Sequence, residues 1–280
     1  MLEYATIKKL QDSYKYKKLP EKTNMGEELS MNIATLIRYR KGTYEGIWDG
    51  NNWFAHGNLV EIARHYGIGM TVIATESDYE KVCEMCDGLI IPGSPINIDP
   101  TFYGGKPWDP QNEVEEYLLD SKVMAAFDRM NKPMFGICGG IQALNVFYGG
   151  TLNRVSELKK DAHSENPASH SSEEYRPDRY GNSILYHTHP VTIKKDSFLY
   201  DVFQTERICT NTYHEFALDR VAAGFDVVAT SDDGIVEAVE WKEKKIFATQ
   251  WHPELAFRMN DPLELKLFEN FFAACEGNAG

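Results

Sequence analysis

Short apolar segments alternate with longer amphipathic segments along the chain, beginning at Met31. The apolar segments have the length of buried strands, and the segments between them have the apolar spacing of helices. This alternation is typical of an α/β fold, in which helices connect the strands of a parallel sheet. We predict strands at residues 32–38, 70–74, 88–91, 133–137, 226–230, 235–240 and 245–251.

Three segments have the apolar spacing and the end signals of helices. The first covers residues 52–66 and ends at Gly67, a residue type that often terminates a helix. The second covers residues 139–148 and is followed by two glycines, and the third covers residues 262–275 near the end of the sequence. Together with the strands, these helices predict a sheet that is covered on both faces.

The distribution of polar residues indicates how the chain is organised. Residues 1–30 are rich in lysine and glutamate, and we interpret them as an N-terminal extension. Residues 31–276 are interpreted as one α/β domain, with a central, mostly parallel sheet, helices on both faces and a small antiparallel portion around residues 183–220. The polar segment 159–182 has no sustained apolar period, so we predict a long surface loop there.

The composition excludes several classes of function. The 280 residues include 29 Lys and Arg against 42 Asp and Glu, which gives a formal net charge of −13 at pH 7. Such a surface repels phosphate backbones and anionic membranes, so neither nucleic acid nor a membrane is an expected partner. The first residues do not resemble a signal peptide. We therefore expect a cytoplasmic protein whose five cysteines are structural, metal-bound or catalytic rather than joined in disulfides.

Cys138 has the surroundings of a nucleophile. It lies where a predicted strand ends and a predicted helix begins, with Gly136 and Gly140 on either side. A nucleophile on such a sharp turn needs small neighbours, because a larger side chain would collide with the adjoining strand and helix. The helix N-terminus favours a thiolate, and the backbone N–H of Gly139 can donate to an oxyanion. A small buried cysteine in a glycine-rich turn is the alternative.

His252 and Glu254 supply a candidate base and its orienting carboxylate. Both follow directly after the predicted strand 245–251, and catalytic groups of open α/β sheets gather at the carboxyl ends of strands. Cys138 lies at the same edge of the sheet. A carboxylate that accepts the far ring N–H of a histidine fixes its tautomer and stabilises the imidazolium. Without its position after a strand, His-Pro-Glu would be equally consistent with a surface turn.

Three ordered motifs carry a family resemblance. The segments that begin at Gly88, Gly136 and Thr249 read Gly-Leu-Ile-Ile-Pro-Gly-Ser-Pro, Gly-Ile-Cys-Gly-Gly-Ile-Gln-Ala-Leu-Asn-Val and Thr-Gln-Trp-His-Pro-Glu. In order and spacing they resemble class I glutamine amidotransferases, and most closely the γ-glutamyl-γ-aminobutyrate hydrolase group, also called the C26 peptidases. The segment Asn-Thr-Tyr-His that begins at Asn211 is shared with that group. The resemblance covers about residues 32–275 and implies a three-layer, flavodoxin-like fold.

The resemblance implies roles for individual residues. Cys138 matches the nucleophile, His252 the general base and acid, and Glu254 the orienting carboxylate. The remaining matches are the turn at Gly93 and Ser94, which provides an oxyanion N–H beside that of Gly139, and the substrate-binding positions Gln142, Tyr213 and His214. The group usually has a second glycine where this chain has Ser94, and that substitution affects the oxyanion geometry if the position needs positive φ.

The resemblance also implies a reaction. We expect a hydrolase that cleaves the γ-glutamyl amide bond of a small molecule through a thioester and releases glutamate, with no metal and no organic cofactor. One alternative is a glutaminase subunit that delivers ammonia to a synthetase partner. Another is a non-catalytic ligand-binding protein that retains the fold. The sequence leaves open which amine is attached to the glutamyl group and whether the chain forms a homodimer.

Overall fold

The computed structural model describes residues 31–44, 48–77, 79–107, 116–158, 187–256 and 261–277. The strands in these ranges are β1 (Asn32–Leu36), β2 (Arg38–Tyr44), β3 (Trp48–Phe54), β4 (Gly69–Ile73), β5 (Gly88–Ile91), β6 (Met134–Ile137), β7 (Leu152–Arg154), β8 (His187–Ile193), β9 (Arg207–Thr212), β10 (Phe216–Leu218), β11 (Asp226–Ser231), β12 (Val236–Trp241) and β13 (Ile246–Thr249). The α-helices are α1 (Gly57–Tyr66), α2 (Tyr79–Met85), α3 (Glu116–Arg129), α4 (Gly139–Phe147), α5 (Val155–Leu158), α6 (Phe198–Phe203) and α7 (Pro262–Glu276). Three short 3-10 helices cover Pro100–Tyr103, Lys242–Lys244 and Pro253–Leu255.

Nine strands form one mixed sheet in the order β4-β1-β5-β6-β13-β12-β11-β8-β9. The five strands from β4 to β13 are parallel, and the four from β12 to β9 continue the sheet with antiparallel pairing. Two further antiparallel pairs, β2 with β3 and β7 with β10, lie outside this sheet. The predicted α/β class is confirmed. The antiparallel portion is larger than predicted, because β11 and β12 belong to it as well as β8 and β9.

Alternate residues of the central strands pack into two separate hydrophobic clusters. In β13, Phe247 packs into one cluster, which also includes residues of α1, α6 and α7, whereas Ala248 packs into the other. The second cluster includes residues of α2, α3 and α4. Since successive side chains of a strand point to opposite faces, the two clusters are the two faces of the sheet. The fold therefore has the predicted three layers.

The first predicted helix begins later than the sequence pattern indicated. Helix α1 begins at Gly57 rather than at Asn52, because Asn52 belongs to β3, which pairs with β2 in an antiparallel hairpin. The helical period in this region rests on Leu59, Ile62 and Ala63, all of which are buried on one side of α1. The end of the helix is confirmed: Gly67 follows it with φ of 66°, in the left-handed region.

The other predicted helices and strands agree with the structure to within a few residues. The predicted N-terminal extension at residues 1–30 and the predicted loop at 159–182 lie outside the described residues. In the part of the chain that the structure describes, no helix combines the length and apolar character needed to cross a membrane.

Candidate active site

Cys138 occupies a strained turn between β6 and α4. It has φ of 51° and ψ of −104°, a combination that is rare for a residue with a side chain and that marks local backbone strain. Its backbone N–H donates a hydrogen bond of 2.8 Å to the carbonyl of Thr249, the last residue of β13. The turn thus has the strand-to-helix geometry that the glycine pattern predicted, and it lies at the carboxyl end of the parallel strands.

Two glycines allow this turn to pack against its neighbours. A methyl group added at Gly140 would lie 2.1 Å from the carbonyl oxygen of Ile91, and one added at Gly136 would lie 2.7 Å from the carbonyl carbon of Gly140. Neither position has room for a larger residue, because in both cases the obstructing atom belongs to the backbone. The prediction that Cys138 needs small neighbours is confirmed in these two contacts.

His252 and Glu254 form a close pair beside Cys138. The ring Nδ1 of His252 lies 2.7 Å from Oε1 of Glu254, and the ring and the Cys138 side chain both lie against Gly93. Burial by itself lowers the pKa of His252, but the charges of Glu254 and Cys138 and the hydrogen bond to Glu254 raise that pKa well above its ordinary value. For Glu254, burial raises the pKa and His252 lowers it, and the net pKa is lowered. The pair therefore favours an imidazolium beside a carboxylate.

Asn211 holds the backbone of His252 from the end of β9. Its Oδ1 accepts a hydrogen bond of 2.8 Å from the His252 N–H, and its Nδ2 donates one of 2.9 Å to the His252 carbonyl. Asn211 is buried, so these two bonds are shielded from competing water. The amide side chain thus ties β9 to the residue that follows β13.

The turn at Gly93 and Ser94 lies against both Cys138 and His252. A methyl group added at Gly93 would be 3.1 Å from Cε1 of His252 and 3.4 Å from Cβ of Cys138, and one added at Gly139 would be 2.9 Å from the backbone nitrogen of Ser94. The two predicted oxyanion segments are therefore adjacent. Among the described residues, positive φ at a residue other than glycine occurs at four positions, and Ser94 is not one of them. Serine at this position therefore carries no left-handed strain.

The predicted substrate-binding residues lie around Cys138 in different ways. Gln142 is buried, and its Nε2 donates to the carbonyl of Phe216 at 2.8 Å and to Oε1 of Gln250 at 3.3 Å. Gln142 also lines a cavity of about 20 Å³, large enough for a single water molecule, together with Ser94 and Gly139. These bonds give Gln142 a structural role in the wall of the site.

Tyr213 and His214 face different surroundings. The carbonyl oxygen of Tyr213 lies 3.7 Å from Sγ of Cys138, while its side chain is 70% exposed. The His214 ring is buried, with Nδ1 donating to the Phe216 carbonyl at 2.9 Å and Nε2 lying 3.6 Å from Oε1 of Glu237. Oε1 of Glu237 also lies 3.6 Å from Nε2 of His189. Burial raises the pKa of Glu237, but the two histidines lower it by a larger amount, so the net pKa lies far below the ordinary value. The backbone at Tyr213 therefore borders the thiol, whereas the His214 ring belongs to a buried cluster with Glu237 and His189.

Three residues near the centre were missed by the sequence analysis. Gln250 is fully buried, and its Nε2 donates to Sγ of Cys138 at 3.7 Å. Arg38 and His56 both donate hydrogen bonds to the carbonyl of Gly93. A usable signal existed for two of them, because Arg38 follows β1 and Gln250 follows β13 at the edge where Cys138 lies.

The sheet thus carries a cysteine on a strand-to-helix turn, with a histidine and a carboxylate nearby, which is an arrangement typical of enzymes with an activated nucleophile. The family model described as Peptidase C26 matches residues 38–254, and the chain belongs to this family. The family resemblance noted in the sequence is thereby confirmed. Membership places the chain among the hydrolases and amidotransferases.

Similar proteins support the same assignment. The γ-glutamyl-γ-aminobutyrate hydrolase of Escherichia coli O157:H7 is 30% identical over 208 residues, which span 73% of this chain and 78% of that protein. The Lactococcus lactis protein YvdE, named as glutamine amidotransferase-like, is 28% identical over 215 residues, which span 73% of this chain and 82% of that protein. A solved structure from Thermoplasma acidophilum, described as a GMP synthase component, has a TM-score of 0.58 at 18% identity. The match covers 90% of this chain and 96% of that one, and it shows a shared fold.

Proposed function

We propose that this protein hydrolyses the γ-glutamyl amide bond of a small molecule, with Cys138 as nucleophile, His252 as general base and acid, and Glu254 as orienting carboxylate. The observation that supports the proposal is the close pair of His252 and Glu254, with Cys138 and His252 both lying against Gly93 at one edge of the sheet. The similarity to a γ-glutamyl-γ-aminobutyrate hydrolase supports the substrate class.

The first half of the reaction forms a thioester. Because Glu254 engages Nδ1 of His252, Nε2 is the ring nitrogen that takes the proton of the Cys138 thiol, and the raised pKa of His252 favours this transfer, which gives a thiolate beside an imidazolium. The sulfur then attacks the γ-carbonyl carbon, and the resulting oxyanion is stabilised by the backbone N–H groups of Gly139 and Ser94. When the tetrahedral intermediate collapses, the carbon–nitrogen bond breaks, and His252 gives its proton to the leaving amine.

The second half releases glutamate. Neutral His252 takes a proton from a water molecule, whose oxygen attacks the thioester carbon. The second tetrahedral intermediate uses the same N–H groups as the first. Its collapse breaks the carbon–sulfur bond, and the proton on His252 returns to the sulfur. The cycle balances without an added reactant and leaves Cys138 as the thiol.

The proposal is tested by identifying products from a panel of γ-glutamyl amines, γ-glutamyl amino acids and free glutamine by mass spectrometry. We expect the wild-type protein to release glutamate from at least one γ-glutamyl amine without a second protein. Cys138→Ala is expected to lose nearly all turnover with an unchanged circular dichroism spectrum. Undiminished turnover by Cys138→Ala would refute the assignment. Turnover of glutamine only, and only with an added synthetase, would favour a glutaminase subunit instead.

Rapid labelling of Cys138 by a glutamine-like electrophile provides an independent measurement. A thiol paired with a histidine reacts quickly, whereas an inert buried thiol reacts slowly. We expect labelling of the wild-type protein to be concentrated at Cys138 and slowed by a γ-glutamyl substrate. Slow labelling without protection would instead favour a ligand-binding protein that does no chemistry.

A further inference from the structure

The carbonyl group of Gly93 accepts hydrogen bonds from two side chains that come from separate parts of the chain. Arg38, the first residue of β2, donates from Nε at 3.2 Å, and His56, immediately before α1, donates from Nε2 at 3.0 Å. A carbonyl oxygen can only accept, so Nε2 of His56 carries a hydrogen. Burial lowers the pKa of His56 and, although Glu254 opposes the effect, keeps it below its ordinary value, which favours a neutral ring.

These two bonds restrict the direction of the next N–H group. The peptide bonds of the described residues are all trans, and the C=O and N–H of a trans peptide point in opposite directions. With its oxygen held by Arg38 and His56, the Gly93–Ser94 peptide turns the N–H of Ser94 away from them. The nitrogen of Ser94 lies against the turn that carries Cys138, 2.9 Å from the position of a methyl group added at Gly139.

The side chain of Ser94 is held by the same buried group of charges. Its hydroxyl donates to Glu116, and Arg38 lies 2.9 Å from Asp120 and 3.9 Å from Glu116. Arg38 also donates from Nη2 to the carbonyl of Pro92 at 3.0 Å. Burial would lower the pKa of Arg38, but Asp120 and Glu116 raise it, so the guanidinium stays charged.

The location of this charge cluster points to a role beyond stability. Buried ion pairs are weak sources of stability, because desolvation offsets most of their attraction, and well-packed apolar side chains are often as favourable. A buried guanidinium does, however, fix the geometry of its partners, because its N–H groups donate along fixed directions. Arg38 directs those donors at two successive carbonyls, those of Pro92 and Gly93, in the turn next to Cys138.

We propose that Arg38 and His56 are positioning residues that orient the Gly93–Ser94 peptide so that the Ser94 N–H serves as the second oxyanion donor. The inference rests on the proposed thioester chemistry at Cys138. Neither side chain touches the substrate in this account. They act through the peptide group, and their effect is therefore greatest in the transition state, where the negative oxygen develops.

His56 provides the sharper test, because loss of Arg38 would leave Asp120 and Glu116 as uncompensated buried carboxylates and impair folding. His56→Ala removes one donor, and His56→Gln replaces it with an amide N–H. We expect His56→Ala to lower kcat about 10- to 100-fold, below the loss for deleting an oxyanion donor outright, with KM changed less than about threefold. His56→Gln should recover much of kcat. The matched control is His65→Ala, which replaces an exposed histidine of α1 and should retain wild-type kcat.

Two further readouts separate positioning from damage to the catalytic pair. The rate of Cys138 alkylation and the pH profile of kcat should be the same in His56→Ala as in wild type, because the thiol and His252 are left in place. A shifted pH profile or slowed alkylation would overturn the inference and assign the effect to Glu254 and His252. Wild-type kcat in His56→Ala, with Cys138→Ala inactive, would overturn the inference alone. Full activity in Cys138→Ala would overturn it together with the proposed function.

Discussion

The Nδ1 atom of His252 lies 2.7 Å from Oε1 of Glu254, a residue only two positions further along the chain. Pro253 between them begins a 3-10 helix, and its ring restricts the backbone of the turn. The contact is therefore built from local structure, while Asn211 of β9 supplies the long-range restraint on the His252 backbone. Local and distant contacts together set the position of the ring that faces Cys138.

Replacing Glu254 by Gln should greatly reduce turnover. The amide can remain near Nδ1 of His252 but no longer stabilises an imidazolium and can favour the wrong tautomer. Loss of the equivalent carboxylate function in a serine protease lowers kcat on the order of 10⁴-fold, and we expect a loss of about 10³- to 10⁴-fold here. Steady-state kinetics with a γ-glutamyl amine measures it. A kcat within about twofold of wild type would remove Glu254 from the mechanism.

Replacing Asn211 by Ala should lower both activity and stability. The substitution leaves the His252 N–H and C=O without their side-chain partners, at a cost of about 1–3 kcal/mol in the free energy of unfolding. We expect kcat to fall about 10- to 100-fold, since small displacements of a catalytic group are costly. The control is Asn145→Ala, which also removes a buried amide, bonded to the carbonyls of Thr151 and Arg220. It should lose comparable stability and keep kcat per folded molecule. Equal kcat losses in both variants would contradict the positioning role of Asn211.

Replacing Gly140 by Ala should destabilise the turn at Cys138. The new methyl group would lie 2.1 Å from the Ile91 carbonyl oxygen, and relief of the overlap requires the strand or the helix to move. We expect a loss of about 1–3 kcal/mol in the free energy of unfolding, with reduced kcat. Gly57→Ala is the control, because nothing lies within 4 Å of a methyl group there, and it should be neutral or stabilising by about 0.4–1 kcal/mol. Urea denaturation compares the two, and similar stabilities would mean that the close approach at Gly140 is not restrictive.

Glu237 should make stability depend on pH. Burial raises the folded-state pKa of Glu237, but His189 and His214 more than offset this effect, so the net pKa is lowered. The carboxylate of Glu237 is therefore harder to protonate in the native state than in the unfolded state. The stabilisation is therefore present above the ordinary pKa of a glutamate, about 4.5, and is lost as the pH falls below it.

Glu237→Gln tests this pH dependence directly. At pH 7 the variant should lose about 1–3 kcal/mol, the usual cost of removing one partner of a buried polar contact, and the difference from wild type should shrink on acidification below pH 4.5. Glu76→Gln, in the exposed pair with Lys122, is the control and should cost less than about 1 kcal/mol. A wild-type advantage that does not change between pH 7 and acid pH would contradict the ionised state of Glu237.

The sequence predicted the candidate active site best where the signals are local. Glycines around Cys138 indicate a tight turn over five residues, and the adjacent strand and helix have clear apolar patterns. His252 and Glu254 follow a strand, and the rule that sites form at the carboxyl ends of parallel strands brings them to Cys138 without knowledge of the side-chain contacts. These arguments need only short-range sequence information and the order of the strands.

Contacts between residues that are far apart along the chain could not be predicted from the sequence. Arg38 reaches a carbonyl 55 positions away and His56 reaches the same carbonyl from 37 positions away, and neither pairing has a repeating pattern. The start of α1 was wrong because Phe54 fits both a helical period and the end of a strand, and pairing of β3 with β2 decides between them. The extent of the antiparallel sheet likewise depends on strand pairing, which apolar periodicity does not reveal.

Trapping the acyl-enzyme tests the central claim most directly. The protein is mixed with a γ-glutamyl anilide, quenched in acid within one turnover, and digested for peptide mass spectrometry. We predict a mass increase of one glutamyl group on the peptide that contains Cys138, a label that is released by hydroxylamine and is absent from Cys138→Ala. Hydrolysis of the anilide with no label on Cys138 in wild type, and the same rate in Cys138→Ala, would contradict a thioester at this residue.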